Sequence, residues 1–342
     1  MCAKKKRGKK VLIVIAVLLA LCFAALLGVT YFANSFLNRI NRAEDLQMET
    51  LTDEEVELIL SETDPPEELD ADLEELDPLE VTLPDELPEN IEKPDHVINI
   101  LLIGQDRRPG EGRQRSDAMI LCTVNKEQKI LTMTSFLRDT YVKIPEYNGK
   151  KYSDNRLNVP YVIGGMEMLD ECLMLNFGIE VDHNIEVDFS AFEQIVDALG
   201  GVDIELTRAE ANWMGGVSAG MNRLNGKKAL EYARIRKLDS DFGRTNRQRN
   251  VLNAMLLRVE SLSVNEMIDL VGTIFPMITT DMTNGDILGY VTELFPLIMN
   301  YQVITQTVPG EGEYRGGTIR GMSVLVPDLE KINARLRETI GS

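Results

Sequence analysis

Basic side chains are concentrated between Glu231 and Arg249, in a chain whose net charge is −19. Arg234 and Arg236 are two positions apart, so in an extended or tightly turned backbone their side chains point the same way. The cations of the stretch are Arg234, Arg236, Lys237, Arg244, Arg247 and Arg249. Forked guanidinium groups match the oxygens of phosphate, so this stretch is suited to a multiply charged anion. A solvated surface with local Arg–Asp pairs is the alternative.

A helix is predicted to begin inside this stretch. Thr245 followed by Gln248 has the spacing of a capping box, which places the start of the helix at Asn246. The free N–H groups of a helix N-terminus would add to the binding of an anion.

A second group of charged residues follows the ends of three predicted strands. Apolar runs predict strands at residues 97–103, 118–124 and 130–135. If they form an antiparallel meander, the end of the first, the start of the second and the end of the third lie at one sheet edge. That edge would carry Asp106, Arg115, Asp117 and Arg138. Carboxylates bind Mg²⁺ and guanidinium groups bind phosphate, whereas the same groups can also form structural ion pairs.

Alternating strand and helix patterns surround these residues and predict an α/β domain. A helix is predicted to end at Gly178, a strand covers residues 183–188, and a capping box at Ser190 and Glu193 predicts the next helix. The segments after Arg249 carry Leu, Ile and Met at helical spacing. Such stripes either form core or line an apolar slot for a lipid tail.

The N-terminal third divides into a tail, a membrane span and a spacer. Residues 1–10 are basic and residues 11–33 are apolar, which predicts an uncleaved signal anchor with the N-terminus in the cytoplasm; cleavage of this segment is the alternative. Residues 34–94 are acidic and Pro-rich and are expected to form an extended extracellular spacer, with a short helix near residues 53–60. Residues 95–342 are long enough for one catalytic domain.

Composition excludes several kinds of site. The chain has two His, so a His-ligated metal or a Ser-His-Asp triad is not expected. Cys122 and Cys172 lack metal-ligand spacing and are expected to be buried thiols, with one disulfide as the alternative. Ten cytoplasmic residues are too few for a DNA-binding domain, so no nucleic-acid partner is expected.

Six motifs occur in a fixed order after the anchor. They are Asn99-Ile-Leu-Leu-Ile-Gly-Gln-Asp106, Arg115-Ser-Asp117, Ser135-Phe-Leu-Arg138-Asp139, Leu199-Gly-Gly-Val202, Tyr232-Ala-Arg-Ile-Arg236 and Asp241-Phe-Gly-Arg-Thr-Asn-Arg-Gln248. Together they resemble the LytR-CpsA-Psr family of bacterial envelope proteins over roughly residues 95–342.

The resemblance implies a three-layer α/β/α sandwich around a mixed β-sheet. It also implies a transferase that moves a glycopolymer from a polyprenyl-pyrophosphate carrier onto peptidoglycan, in the bacterial cytoplasmic membrane with the domain outside. Asp106 and Asp117 correspond to carboxylates that bind Mg²⁺, with Mn²⁺ as the alternative metal. The residues that correspond to the pyrophosphate site are Arg115, Arg138, Arg234, Arg236, Arg244 and Gln248.

The expected mechanism combines cations around the pyrophosphate with a carboxylate base. Charge on the departing lipid phosphate would be stabilised by Mg²⁺ and the Arg groups, with Arg138 as a catalytic residue. A sugar hydroxyl would attack the anomeric carbon, and Asp139 or Asp241 would take its proton.

The sequence departs from the family pattern at Leu137, Ala118 and Pro160, where Pro, Thr and a small residue are usual. None of the departures removes a charge. Two alternatives remain open, a polyprenyl-pyrophosphatase and a non-catalytic regulator or wall-polymer-binding protein.

Overall fold

The computed structural model describes residues 35, 37–44, 51–61, 83–84, 87–107, 112–235, 238, 241–298 and 301–341. The predicted membrane anchor at residues 11–33 lies outside these ranges. Within them, no helix is both long and apolar enough to cross a bilayer.

Thirteen strands lie in the described part of the chain, and seven of them form a central sheet. They are β1 (Asn41–Arg42), β2 (Val97–Gln105), β3 (Ser116–Asn125), β4 (Ile130–Phe136), β5 (Tyr141–Val142), β6 (Asn155–Arg156), β7 (His183–Asp188), β8 (Val202–Leu206), β9 (Gly220–Leu224), β10 (Thr279–Thr280), β11 (Gln302–Val308), β12 (Tyr314–Ile319) and β13 (Met322–Pro327). The central sheet has the order β1-β10-β7-β2-β3-β4-β11. It is mixed, because β7 is parallel to β2 while β3 is antiparallel to both β2 and β4.

The predicted meander is confirmed. Gly104 of β2 lies opposite Ala118 of β3, and Met119 of β3 lies opposite Phe136 of β4. The end of β2, the start of β3 and the end of β4 therefore share one edge of the sheet.

Nine helices lie in the described ranges, and they cover both faces of the central sheet. They are α1 (Asp53–Ser61), α2 (Val159–Phe177), α3 (Phe189–Ala198), α4 (Arg208–Met214), α5 (Gly226–Ala233), α6 (Asp241–Glu260), α7 (Val264–Ile274), α8 (Asn284–Ile298) and α9 (Leu329–Ile340), with a 3₁₀ turn at Phe275–Met277.

One face of the sheet packs against α2 and α9 to form the main core. Leu101 and Leu121 from the sheet, Leu173 from α2 and Leu336 from α9 are fully buried in one cluster. The opposite face, with Leu102 and Ile120, is covered by α3, α5 and α6. The predicted α/β fold with a mixed sheet in the middle layer is confirmed.

Residues on the N-terminal side of Asp95 contribute to the folded unit. Leu83 and Ile91 are buried in hydrophobic clusters, and β1 extends the central sheet through β10. The short helix predicted near residues 53–60 is present as α1.

Two predicted helix starts are wrong. The N-cap of α3 is Asp188, which accepts from the N–H of Ala191, rather than Ser190. Helix α6 begins at Asp241, so Thr245 lies within it and donates its hydroxyl to the carbonyl of Phe242. In both cases a capping-box spacing occurred inside a helix. The box at Ser263 and Glu266 does cap α7.

Both cysteines of the described domain are free thiols, as expected. Burial raises the pKa of Cys122 to about 12 and raises the pKa of Cys172 still further. Neither thiol is therefore suited to nucleophilic chemistry.

Candidate active site

A cavity of about 530 Å³ lies between the central sheet and helices α3, α5 and α6. Its charged and amide side chains are Asp106, Asp117, Arg138, Arg234, Arg244 and Gln248. Six of the residues predicted from sequence thus line one cavity. Asp106, Asp117 and Arg138 lie at the shared sheet edge, whereas the cavity continues along the strands past Leu102 and Ile120. One end of the cavity is therefore charged and the rest is apolar.

Arg138 organises the carboxylates at the sheet edge. Its Nη1 donates to Oδ1 of Asp117 at 2.9 Å, and its Nε donates to Oδ2 of Asp139 at 3.3 Å. Its side chain is only 16% exposed, so the guanidinium group is held beside the cavity.

Asp139 is supported from behind by a second buried cation. Nη1 of Arg156 lies 3.2 Å from Oδ1 of Asp139, and the Arg156 side chain is 5% exposed. Asp139 does not line the cavity. Its carboxylate bridges two guanidinium groups and fixes the orientation of Arg138.

Arg234 enters the site from the C-terminal end of α5. It lies at the C-cap of this helix, and its Nη2 is 3.4 Å from Oδ2 of Asp106. Its guanidinium carbon lies 4.6 Å from the ring centroid of Phe189, a cation–π contact. The aromatic ring thus holds a half-exposed cation over the charged end of the cavity.

Arg244 and Gln248 reach the cavity from one face of α6. They are four positions apart, so their side chains are neighbours on one face of the helix, about one turn apart. Val251, Leu252 and Met255 continue the same face and line the apolar part. The helix therefore joins the polar and apolar parts of the cavity through its 3.6-residue periodicity.

Arg247 and Arg249 of the basic stretch are structural. Arg247 donates from Nε to Glu210 at 2.8 Å and from Nη1 to the carbonyl of Ile235 at 3.1 Å. Arg249 donates to the carbonyl of Gln306 at 3.0 Å. Both guanidinium groups are bonded to residues outside the cavity, so some arginines of the stretch face the cavity and others hold neighbouring elements together.

Besides Asp139, three predicted site residues are not placed in the cavity. Arg115 turns away from it, and its Nη2 donates to the carbonyl of Ile59 in α1 at 2.8 Å. Arg236 lies outside the described residues. Asp241 is the first residue of α6, and its side chain lies outside the described part.

Sequence reasoning missed most of the apolar lining. Phe189, Phe192 and Leu230 line the cavity from α3 and α5, and Ile185 and Val187 line it from β7. The period-2 alternation of β7 already placed Ile185 and Val187 on one face of the sheet, but no local signal identified that face as the cavity side.

A buried polar network lies beside the site on the other face of β7. Glu186 is 2% exposed and accepts from the Tyr161 hydroxyl and from Nε2 of Gln105. Nη2 of Arg107 lies 3.4 Å from the same carboxylate. Burial, and then the Glu186 charge, raise the pKa of Tyr161 well above its usual value, so the hydroxyl keeps its proton and serves as a donor.

The departures from the expected motif pattern have local explanations. Leu137 donates its backbone N–H to the carbonyl of Val308 at 2.8 Å, a bond that a proline could not make. Pro160 lies in the first turn of α2, where a missing N–H costs nothing. A Cβ on Gly104 would lie 3.2 Å from the Cβ of Ala118, so these two small residues leave room at the mouth of the cavity.

Asp106 and Asp117 are the two carboxylates of the cavity that could bind a metal. Within the described ranges, no cluster of three or more His, Cys, Asp or Glu residues could hold a metal by itself. A cation between these two carboxylates would need oxygens from a ligand or from water to complete its shell.

Comparison with known proteins gives one consistent result. The profile described as the LytR_cpsA_psr family matches residues 67–338. The chain is 32% identical over 257 residues to the polyisoprenyl-teichoic acid–peptidoglycan teichoic acid transferase TagU of Oceanobacillus iheyensis, covering 72% of this chain and 76% of that protein. It is 31% identical to biofilm regulatory protein A of Streptococcus mutans, covering 73% of this chain and 64% of that protein. The solved structure of TagT bound to LIIa-WTA superposes with a TM-score of 0.58 at 25% identity, covering 72% of this chain and 92% of that one.

Proposed function

The chain belongs to the LytR_cpsA_psr family, and we propose that it transfers a glycopolymer from a polyprenyl-pyrophosphate carrier to peptidoglycan. The family and the transferase class, both predicted from the motifs, are confirmed by these matches. The observation that carries the proposal for the donor is the single cavity that joins a cluster of cations and carboxylates to an apolar chamber.

The two parts of the cavity suit the two parts of such a donor. The apolar walls from α3, α5, α6 and the sheet would bury the prenyl tail, for which removal from water is the driving force. Arg138, Arg234 and Arg244 would contact the pyrophosphate oxygens, because guanidinium groups bind phosphate in a forked geometry. Gln248 would add one neutral donor on the same helix face.

Transfer requires that charge be stabilised on the departing lipid phosphate. Arg138 and Arg234 are held in place by Asp117, Asp139 and Phe189 before any substrate binds. Fixed cations of this kind need no reorganisation when negative charge develops, which lowers the barrier.

Asp106 and Asp117 fit a bound Mg²⁺, with Mn²⁺ as the alternative. Both line the charged end of the cavity, and Mg²⁺ is commonly held by one or two carboxylates together with substrate phosphates and water. When bound, the metal would withdraw charge from the phosphate oxygens.

The charges favour attack at phosphorus over attack at the anomeric carbon. Guanidinium groups around phosphate oxygens, together with a metal ion that the carboxylates would hold, stabilise the charge that develops in phosphoryl transfer. An acceptor hydroxyl would form the new O–P bond to the sugar-linked phosphate, the bond from that phosphorus to the lipid phosphate oxygen would break, and a carboxylate would take the hydroxyl proton. Of the two predicted bases, Asp139 is engaged by Arg138 and Arg156 and does not line the cavity, so Asp241 is the candidate that we retain.

We place the reaction at the outer face of the bacterial cytoplasmic membrane. Residues 1–10 would lie in the cytoplasm and residues 11–33 would span the bilayer, which leaves the domain outside. Protease treatment of intact protoplasts tests this, since degradation of the domain requires that it be outside.

The test of the function is a transfer reaction with the full chain in detergent. Labelled polyprenyl-pyrophosphoryl oligosaccharide, Mg²⁺ and peptidoglycan fragments are supplied, and we expect phosphodiester-linked label on peptidoglycan together with released polyprenyl phosphate. Release of polyprenyl pyrophosphate would instead indicate attack at the anomeric carbon.

Two other outcomes would support the alternatives. Label released only as free sugar phosphate would favour a pyrophosphatase. Donor binding without turnover would favour a regulatory or binding role, for which the similarity to biofilm regulatory protein A is the supporting observation.

A further inference from the structure

A second cavity, of about 350 Å³, lies between α1 and the domain. Its lining residues are Glu57, Leu60, Ser61, Ser153, Arg320 and Met322. One wall therefore comes from α1, and the other comes from the segment before β6 and from the turn between β12 and β13. We call this cavity the α1 groove.

Helix α1 is attached to the domain by its last carbonyls. Ile59 accepts from Nη2 of Arg115 at 2.8 Å, and Leu60 accepts from Nδ2 of Asn155 at 3.2 Å. Lys150 forms an ion pair with Asp53 at the other end of the helix. The C-terminal carbonyls of a helix carry partial negative charge, so a guanidinium group is a favourable partner for them. These contacts place both ends of α1 on the domain.

Helix α1 and the larger cavity lie on different sides of the central sheet. Helix α1 contacts α2, which packs on one face of the central sheet, whereas the larger cavity lies against the opposite face. Asn155, which holds α1, precedes Arg156, and Arg156 is bonded to Asp139. Asp139 in turn contacts Arg138 at the charged end of the larger cavity. A short chain of contacts therefore connects the α1 groove to the proposed reaction centre.

The chemistry of the α1 groove differs from that of the larger cavity. Arg320 is held at its rim by donation to the hydroxyl of Ser153 at 3.0 Å and to the carbonyl of Asp154. Hydroxyl, carboxylate and guanidinium groups lie beside the apolar side chains of Leu60 and Met322. Sugars present hydroxyl and amide groups at their edges and C–H groups on their faces, which this mixture matches. The volume lies within the usual range of ligand sites, about 300–1,000 Å³.

We propose that the α1 groove binds the glycan strand of the acceptor, with α1 forming one wall of the subsite. The inference rests on the proposed transfer function and names the place from which the acceptor hydroxyl approaches. A donor phosphate held between the two cavities would then meet its lipid leaving group on one side and the acceptor on the other, as an in-line displacement requires.

Binding of a soluble glycan to the full chain in detergent tests the proposal directly. The probe is a tetrasaccharide of alternating N-acetylglucosamine and N-acetylmuramic acid, titrated by calorimetry without donor. Leu60→Trp should fill the α1 groove and weaken binding at least about tenfold, the cost of losing a few good contacts. Leu58→Trp is the matched control, because Leu58 lies on the same helix and is 70% exposed.

A second pair of variants tests the opposite wall. Arg320 has a φ of 51°, so Asn is the suitable replacement in this left-handed conformation. Arg320→Asn should weaken glycan binding, whereas Arg315→Asn, an exposed position on the same hairpin, should not. In transfer assays both groove variants should raise the KM for peptidoglycan and leave the KM for the donor unchanged.

Unchanged glycan binding by Leu60→Trp and Arg320→Asn, or no binding of the tetrasaccharide by the unaltered chain, would overturn the proposal. Binding of polyprenyl pyrophosphate to the same preparations is measured separately. If the unaltered chain did not bind polyprenyl pyrophosphate, that result would count against the proposed function and not against the glycan subsite.

Discussion

Arg138 and Asp117 are 21 positions apart, and Nη1 of the arginine lies 2.9 Å from Oδ1 of the aspartate. The contact exists because antiparallel pairing of β3 and β4 brings the start of one strand beside the end of the other. Arg138 thus holds Asp117 in place and would itself contact the phosphate of the same bound donor. A change at Arg138 should therefore affect both phosphate binding and the geometry of the carboxylate.

Arg138→Ala should lower transfer about 10²–10³-fold, the usual effect of removing one fixed donor to a developing charge. Arg138→Lys should recover only part of the activity, since an ammonium group cannot contact Asp117 and Asp139 in the same forked geometry. Rates are measured with saturating donor, and Arg315→Ala is the control for loss of a surface cation. Full activity of Arg138→Ala would exclude Arg138 from the phosphate site.

Asp106→Asn and Asp117→Asn should each raise the Mg²⁺ concentration needed for half-maximal transfer. The reason is the loss of an anionic ligand from a site with two carboxylates in the described structure. The measurement is a Mg²⁺ titration after treatment with EDTA. Asp203→Asn, at an exposed aspartate paired with Arg223, should leave the titration unchanged. Equal Mg²⁺ dependence in all variants would contradict the assignment.

Leu252→Asp should weaken binding of a long polyprenyl pyrophosphate about tenfold while affecting a short prenyl pyrophosphate much less. A carboxylate on the cavity wall must be desolvated when a lipid tail covers it. Leu257→Asp is the matched control, because it makes the same substitution on the same helix at a side chain that is 58% exposed. The same loss of affinity for both chain lengths would mean that the tail does not lie along α6.

Asp170 on α2 should make the stability of the chain depend on pH. Burial raises its pKa from 3.8 to about 8; the hydrogen bond from Asn184 lowers it and nearby Asp281 raises it further. The native state therefore binds this proton more tightly than the unfolded chain, so its contribution to stability is lost as pH rises from about 4 to about 8.

Asp170→Asn removes this titration and can still accept the hydrogen bond from Asn184. The Tm of the variant should match that of the unaltered chain near pH 4 and exceed it at pH 8 by on the order of 10 °C. Thermal unfolding across this range is the measurement, and Glu171→Gln, at an exposed neighbour on α2, is the control. A constant difference at every pH would show that folding does not shift the pKa of Asp170.

Local patterns predicted which strands would form and which charges would meet. The apolar runs of β2, β3 and β4, separated by short connections, restricted the chain to a meander, and a meander fixes which strand ends are adjacent. The sequence pattern therefore already brings Asp106, Asp117 and Arg138 to one edge of the sheet.

The tertiary structure decided which arginines face the cavity. Arg244, Arg247 and Arg249 are alike in sequence, but only Arg244 lines the cavity, because Glu210 and Gln306 lie where the other two point. Such partners come from distant segments, so the local sequence pattern does not reveal them. The same holds for Arg115, whose partner Ile59 belongs to a helix 56 positions away.

By itself the sequence determined the fold class, the family and the charged edge of the sheet, because these follow from short-range periodicity and from motif order. The side on which a lipid-sized cavity opens, and the docking of α1 that creates a second groove, depend on packing between elements far apart in the chain. Burial and pairing are properties of the whole assembled surface, so only the tertiary structure decided them.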